Sequence, residues 1–121
     1  MIKENLIKNK SFQFAIDIVS LYKDLVENKK EFVMSRQLLK SGTSIGANVR
    51  EAEFAQSKAD FSSKMSISLK EANETGYWLE LLFKTKFINE NTFKEYKIKS
   101  TEILKLLVSI VKSSKRLIFH F

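Results

Sequence analysis

Basic and aromatic side chains recur at helical spacing between residues 36 and 54. Placed at about 100° per residue on a helix, they fall within roughly 80° of arc, and we call this set the basic ridge. The basic ridge comprises Arg36, Lys40, Thr43, Ala47, Arg50 and Phe54. Lysine and arginine neutralise phosphates, and an aromatic ring stacks on an unpaired base. The pattern predicts a nucleic-acid contact, whereas a solvated outer face, or arginines that pair with acids of a neighbouring chain, is the alternative reading.

A second cationic set lies near the C-terminus on one narrow helical face, and we call it the C-terminal stripe. It comprises Lys94, Lys105, Lys112 and Arg116, with Lys115 beside them. No acidic residue follows Glu102, so this end of the chain carries positive charge alone. We expect RNA, DNA or an acidic partner to bind here. The alternative is that these cations interact with a helix dipole or serve solubility.

Polar and acidic residues form a third set, which we call the acidic seam. One segment contributes Gln37, Ser44, Asn48 and Glu51, and a later segment contributes Ile67, Glu71, Glu74 and Trp78. Charged groups that are withdrawn from water need partners, so Arg36, Arg50 or Lys64 are candidates to pair with these glutamates. We predict a half-buried structural seam, either between helices or between subunits.

Residues suited to catalysis are few. Glu71 and Glu74 are spaced like half of a di-iron helix, but no Glu-x-x-His accompanies them. Arg116 and His120 resemble the Arg-His motif of helical-bundle ribonucleases with too short a spacing. Cysteine is absent, and there is no glycine-rich phosphate loop. We therefore predict no enzyme activity, no metal and no cofactor. An RNA-processing enzyme is kept as the alternative to this prediction.

The composition favours one basic, helical domain spanning residues 1–121. Proline, the commonest helix breaker, is absent, and 44% of the residues are hydrophobic. The formal net charge of +7 favours acidic partners, of which nucleic acid is the commonest. Simple solubility is the alternative explanation of the charge.

Four helical segments position these residues. The apolar periodicity predicts helices over about residues 11–28, 32–56, 59–85 and 91–116, with Ser11 as the cap of the first. Short connections make sequential helices antiparallel neighbours. The expected fold is therefore all-α, an antiparallel up-down-up-down four-helix bundle.

The first and fourth helices are apolar over a wider arc than a bundle core requires. The first has two adjacent apolar stripes, which together cover roughly 220°, whereas one core-facing helix needs little more than 100°. The stripes are Phe12, Ala15, Ile16, Val19, Tyr22 and Val26, and beside them Phe14, Ile18, Leu21 and Leu25. In the fourth helix, Leu106 and Val108 widen the arc in the same way. A monomer would expose this surface, so we predict a homo-oligomer. The alternative is a monomer with a large core and a few exposed leucines.

Small residues mark the two inner helices. Gly42 and Gly46 are spaced to let a neighbouring helix approach closely, and they predict tight packing. Gly76 in the middle of the third helix costs about 1 kcal/mol relative to alanine. Close contact with a neighbouring helix would offset that cost.

Two stretches of the sequence resemble a known family. The first is Gln37-Leu38-Leu39-Lys40-Ser41-Gly42-Thr43-Ser44-Ile45-Gly46-Ala47-Asn48-Val49-Arg50-Glu51-Ala52, and the second joins Ser57-Lys58-Ala59-Asp60-Phe61 to Ser68-Leu69-Lys70-Glu71-Ala72-Asn73-Glu74-Thr75-Gly76-Tyr77-Trp78-Leu79. Both look like the signature of the 23S rRNA intervening-sequence protein family. Many members carry glycine where this chain has Ala52, which puts the tightness of packing there in question.

The resemblance implies more than the residues alone do. The family is a four-helix bundle, similar to the pentameric accessory protein of diversity-generating retroelements, a basic barrel that engages a reverse transcriptase and nucleic acid. The resemblance thus implies a homopentamer, with a reverse transcriptase as a candidate partner. For most members no activity is established.

Neither a signal peptide nor a membrane-spanning segment is expected, because the N-terminus has no apolar core and no uncharged apolar run approaches the required length of roughly 18 residues. We expect a cytoplasmic, non-enzymatic homo-oligomer that binds RNA or DNA through its basic outer surfaces. The alternative is a protein–protein scaffold without direct nucleic-acid binding.

Overall fold

The protein is a four-helix bundle. A computed structural model describes residues 2–119, with side chains described through Arg116. The helices are α1 (Ile2–Glu27), α2 (Met34–Ala52), α3 (Lys58–Lys84) and α4 (Glu90–Phe119). Within residues 2–119 there is no β-strand. The all-α prediction is confirmed.

Helix α1 begins at Ile2, so the prediction that Ser11 caps its start is wrong. Ser11 is buried inside the helix, and its hydroxyl donates a hydrogen bond to the carbonyl of Lys8, 3.3 Å away. A serine hydroxyl satisfied within the preceding turn does not end a helix. The first ten residues are helical because Ile7, fully buried, extends the core stripe by one more turn.

The core of α1 uses the second of its two predicted stripes. Phe14, Ile18, Leu21 and Leu25 are buried, together with Ile7. From the first stripe, Phe12 is 53% exposed, Ile16 is 49% exposed and Val19 is exposed. An apolar face of α1 therefore points away from the core.

A glutamate carboxylate caps the start of helix α2, which the apolar periodicity of the sequence did not predict. Glu31 is buried in the turn after α1, and its carboxylate accepts hydrogen bonds from the backbone amides of Ser35 (2.6 Å), Met34 (3.1 Å) and Val33 (3.2 Å). Burial alone would raise the pKa of Glu31, but these hydrogen bonds outweigh it, so the pKa lies below its ordinary value. Glu31 satisfies amides that have no partner within the helix.

Helix α2 ends at Ala52, earlier than the predicted residue 56. Residues 53–57 turn the chain, and α3 begins at a reciprocal cap. The hydroxyl of Ser57 accepts from the Asp60 amide at 3.0 Å, and the Asp60 carboxylate accepts from the Gln56 amide at 3.1 Å. Ser57 and Asp60, which belong to the sequence signature, thus cap the start of α3.

Small residues bring α2 close to both of its neighbours. A Cβ atom built on Gly42 would lie 2.8 Å from Ile18 Cγ1, and one on Gly46 would lie 3.3 Å from the Ser11 carbonyl oxygen. The predicted tight packing at these two glycines is confirmed. Toward α3, the Ser68 hydroxyl donates to the Ile45 carbonyl at 2.9 Å. The hydroxyls of Thr75 and Ser41 also lie within hydrogen-bonding distance of each other across this contact, at 3.0 Å.

Helix α4 packs against α3 and α1. Phe83 and Phe93 stack with ring centroids 4.5 Å apart. On the α1 side, the Tyr96 hydroxyl donates to the Asp17 carbonyl at 2.7 Å, and Lys99 Nζ lies 3.1 Å from the Asp17 carboxylate.

The predicted wide apolar surface on α4 is not exposed. Leu104 and Leu106 are half-buried against the core, and Val108 is half-buried as well. Ile98, at 67%, is the one large apolar residue of α4 that is exposed in the part with described side chains. The wide arc therefore leaves an uncovered apolar face on α1, whereas the part of α4 up to Arg116 shows no comparable face.

Candidate functional site

The basic ridge lies on the outer face of α2, as predicted. Arg36, Lys40 and Arg50 are exposed. Phe54 lies beyond the end of α2 and is 81% exposed. The ridge is therefore accessible along its length, with its aromatic member in the turn toward α3.

Arg50 is held by an aromatic ring on α1. Its guanidinium carbon lies 5.3 Å from the centroid of the Phe12 ring, within range of a cation–π interaction. Beside this pair runs a groove of about 390 Å³ between the two helices. The groove wall includes the small residues Ala15, Gly46 and Ala47. Arg50 thus has a fixed position at the edge of an apolar depression.

The acidic seam lies where α2 meets α3. Glu51 pairs with Lys64 across the two helices at 4.0 Å, so Lys64 is the predicted cation that takes this role. Arg50 does not pair with a glutamate in the described chain and lies instead on Phe12. The hydroxyl of Ser44 and the side-chain amide of Asn48 donate to carbonyls of their own helix, at 2.6 and 2.9 Å.

The α3 half of the acidic seam is aromatic and anionic. Trp78 Nε1 donates to the Glu74 carboxylate at 3.0 Å, and the Tyr77 ring meets Trp78 edge-on with centroids 4.9 Å apart. Burial, and next to it the charge of Glu74, raises the pKa of Glu71, while Lys40 opposes the shift. Glu71 is thus half-buried beside the exposed carboxylate of Glu74, with Lys40 nearby.

The C-terminal stripe lies on the exposed surface of α4. Lys94 pairs with Glu90 one turn earlier, at 3.9 Å. Lys105, Lys112, Lys115 and Arg116 are exposed, and among residues 2–116 none of these four forms an ion pair with an acidic side chain. Within residues 2–116, an acidic side chain thus neutralises Lys94 alone of the five cations in the C-terminal stripe.

Other features bear on chemistry. Among the described residues, no three histidine, cysteine or acidic side chains come together as metal ligands. His120, the second member of the ribonuclease-like pair, lies outside the described residues. No described helix combines the length and the apolarity needed to cross a membrane.

The role of Phe12 as a platform for Arg50 was missed in the sequence. The signal was present, because Phe12 belongs to the apolar stripe of α1 that a monomer leaves uncovered. What was not visible is that this stripe lies beside the basic ridge, because only the packing angle of α1 on α2 brings the two together.

Fold and surface together define a class: a basic four-helix bundle with charged outer faces. The chain belongs to the 23S rRNA-intervening sequence protein family, whose model matches residues 3–109. A solved structure from the S23 ribosomal protein family of Bacteroides thetaiotaomicron VPI-5482, a protein with unknown function, is 61% identical to it. That similarity covers 91% of this chain and 98% of the other, with a TM-score of 0.90. Among curated proteins, none matches the chain.

Proposed function

We propose that the protein is a non-enzymatic homo-oligomer of up-down-up-down bundles that binds RNA or DNA in the cytoplasm through the C-terminal stripe. Backbone phosphates would be the main ligand, because lysine and arginine on one helical face neutralise successive charges without reading bases. Several copies would join their stripes into one cationic surface. Avidity then replaces strong single contacts.

One observation carries the nucleic-acid proposal. Four cations at the end of α4 have no acidic partner within residues 2–116, whereas Lys8, Lys64 and Lys99 each pair with a carboxylate. Other exposed lysines, such as Lys29, Lys70 and Lys84, also have no ion pair among the described residues, but the C-terminal stripe differs from them because no acidic residue follows Glu102 in the sequence. An unpaired cluster of one sign attracts a polyanion over a longer range than scattered pairs do.

The uncovered apolar face of α1 supports the oligomer. Phe12, Ile16 and Val19 lie on one side of the helix and are all exposed. Water contact with such a face is unfavourable, and covering it with protein recovers part of that free energy. The pentamer is the assembly that the family resemblance favours.

A matched pair of triple variants tests the nucleic-acid role. K105E/K112E/R116E removes the stripe, and K29E/K70E/K84E makes the same charge change elsewhere, so each lowers the net charge from +7 by six to +1. We expect the first to lose most low-salt binding to RNA and DNA in fluorescence anisotropy titrations, and the second to keep most of it. Wild-type affinity should fall steeply with salt and vary little with sequence. If both triple variants lost the same amount of nucleic-acid binding, total charge and not the C-terminal stripe would determine binding. If the wild type bound neither RNA nor DNA, the proposal would be wrong.

A protein–protein scaffold is the second candidate. It is favoured by Phe32 and Val33, which are 51% and 74% exposed in the turn between α1 and α2. By resemblance to the retroelement accessory protein, a reverse transcriptase is one candidate partner. Two results together would favour the scaffold. The wild type would bind no nucleic acid, and the K105E/K112E/R116E variant would still bind such a protein partner.

A further inference from the structure

Two adjacent faces of the bundle differ in charge and are both partly apolar. The α1–α2 face combines exposed Phe12, Ile16 and Val19 with the guanidinium groups of Arg36 and Arg50. The α2–α3 face combines Ile67, which is 40% exposed, with half-buried Trp78 and the carboxylates of Glu71 and Glu74. Glu51 also borders the groove of the α1–α2 face, and Lys64 pairs with it on the α2–α3 side. The exposed arginines therefore lie on the first face, and Glu71 and Glu74 lie on the second.

We propose that the α1–α2 face of one copy binds the α2–α3 face of the next copy, with Arg50 of one chain facing Glu71 and Glu74 of its neighbour. The occupant of the groove beside Phe12 is then the Ile67 side chain of the second copy. This inference rests on the oligomer of the proposed function and assigns its contact surfaces. It also gives the arginines of the basic ridge a protein partner instead of a phosphate.

Charge decides that the contact joins unlike faces. If two α1–α2 faces met, the arginines of both copies would lie close together, and if two α2–α3 faces met, the carboxylates would. Juxtaposed like charges oppose association, whereas the proposed pairing brings opposite charges together. Because arginine can bind a carboxylate through two parallel hydrogen bonds, Arg50 is well suited to this position.

Local geometry agrees with the pairing. Arg50 is fixed over the Phe12 ring at 5.3 Å and borders the groove of about 390 Å³, so a side chain in the groove lies next to the guanidinium group. On α3, Ile67 and Glu71 are one helical turn apart and share a side of the helix. An apolar residue that enters the groove thus carries a carboxylate toward Arg50. Burial and the charge of Glu74 raise the pKa of Glu71 although Lys40 opposes the shift, so a cation supplied by a second copy would stabilise the charged form of Glu71.

The arrangement of the faces determines the form of the assembly. Both faces share α2, and each helix packs against two neighbours in the cyclic order α1, α2, α3, α4. The two contact directions therefore diverge by about a right angle instead of pointing in opposite directions. Head-to-tail contacts close into a ring when the rotation between successive copies closes, and a closed ring is the assembly proposed here.

Two single variants and their mixture test this inference in the full-length protein. Ile16→Asp spoils the α1–α2 face and Ile67→Asp spoils the α2–α3 face, and both residues are exposed, so the fold should persist. By light scattering, we expect each variant alone to be a monomer of about 14.1 kDa. A 1:1 mixture should form a dimer and nothing larger, because each variant keeps one intact and complementary face. Ile98→Asp, on α4 outside both faces, should assemble like the wild type.

Charge exchange gives an independent readout. Arg50→Glu and Glu74→Arg should each weaken assembly, and their combination in one chain should restore it. A mixture that stays monomeric, or single variants that assemble fully, would overturn the inference while leaving the oligomer standing. A monomeric wild type would overturn both, and an intact ring that ignores RNA would remove only the nucleic-acid role. Circular dichroism checks that each variant remains helical.

Discussion

The contacts around α2 and those around α4 hold the same bundle together by different means. Helix α2 approaches its neighbours through glycine and buried hydroxyls, with a Gly42 Cβ position 2.8 Å from Ile18 and Thr75 Oγ1 3.0 Å from Ser41 Oγ. Helix α4 joins α1 through longer polar side chains, among them the buried Tyr96 and the half-buried Lys99. Close packing tolerates few substitutions, whereas flexible polar links tolerate many.

This difference explains where the family signature lies. The quoted stretches cover residues 37–52 of α2 and residues 58–61 and 68–79 of α3, which include the glycines and buried hydroxyls of these close contacts. The α1–α4 side carries no comparable motif, although it completes the same core. Four predictions follow the same division, with the substitutions around α2 first because their expected effects are larger.

The two core glycines should respond to alanine with opposite signs. Gly42→Ala should lower the free energy of unfolding by about 1–3 kcal/mol, because overpacking against Ile18 exceeds the gain of about 1 kcal/mol in helix propensity. Gly76→Ala should raise it by up to about 1 kcal/mol, since the nearest atom is the mobile Lys97 Nζ at 3.5 Å. Urea unfolding measures both. Two changes of the same sign would erase the contrast between α2 and α4.

Loss of the Glu31 carboxylate should be the next largest effect. Glu31→Ala leaves amides at the start of α2 without their partner and should cost about 2 kcal/mol at neutral pH. Because the folded pKa of Glu31 is lowered, its contribution is present above the unfolded value near 4.5 and disappears as the pH falls through the folded value. Wild-type stability should therefore fall more steeply below pH 4.5 than that of the variant. Parallel curves from pH 7 to pH 3 would show that the carboxylate does not cap α2.

The helix content and the outer surfaces were predictable from the sequence, because apolar periodicity fixes which residues of α2 and α4 face water. The basic ridge and C-terminal stripe are accordingly exposed. The Glu51–Lys64 pair was within reach for the same reason, since both residues lie on flanks that face each other. Periodicity also identified the excess apolar surface on α1, although not which of its two stripes would face the core.

Three features depended on packing that no local pattern contains. Ser11 looks like a cap in the sequence, and only the burial of Ile7 shows that the helix continues through it. Charge alone made Arg50 a candidate to pair with a glutamate, but the packing of α1 places the Phe12 ring next to it instead. Glu31 precedes α2 by three residues, so its role depends on how the turn folds back.

The hydroxyl of Tyr96 tests the polar side of the bundle. Tyr96→Phe should cost about 1 kcal/mol, the usual contribution of one hydrogen bond, because Asp17 loses its donor. Burial, followed by the charges of Asp17, Glu95 and Asp24, raises the pKa of Tyr96 to about 12. Above pH 10 the unfolded tyrosine releases its proton while the folded one keeps it, so wild-type stability should fall between pH 10 and 12. Denaturation curves of the phenylalanine variant should lack this component, and a matching decline in both proteins would assign it to other groups.

The exposed ion pair between Lys10 and Glu102 should matter least. Both side chains are largely solvated, so water and salt screen the attraction, and ordering two flexible chains opposes it. Glu102→Gln should therefore change the free energy of unfolding by less than about 0.5 kcal/mol, and Lys10→Met with Glu102→Gln should show almost no coupling in a double-mutant cycle. The same cycle at Ser41 and Thr75, with alanine and valine, should give a larger coupling because both hydroxyls are fully buried. A stronger coupling at Lys10–Glu102 than at Ser41–Thr75 would reverse the ranking of the two regions and make α4, not α2, the helix whose contacts determine the stability of the bundle.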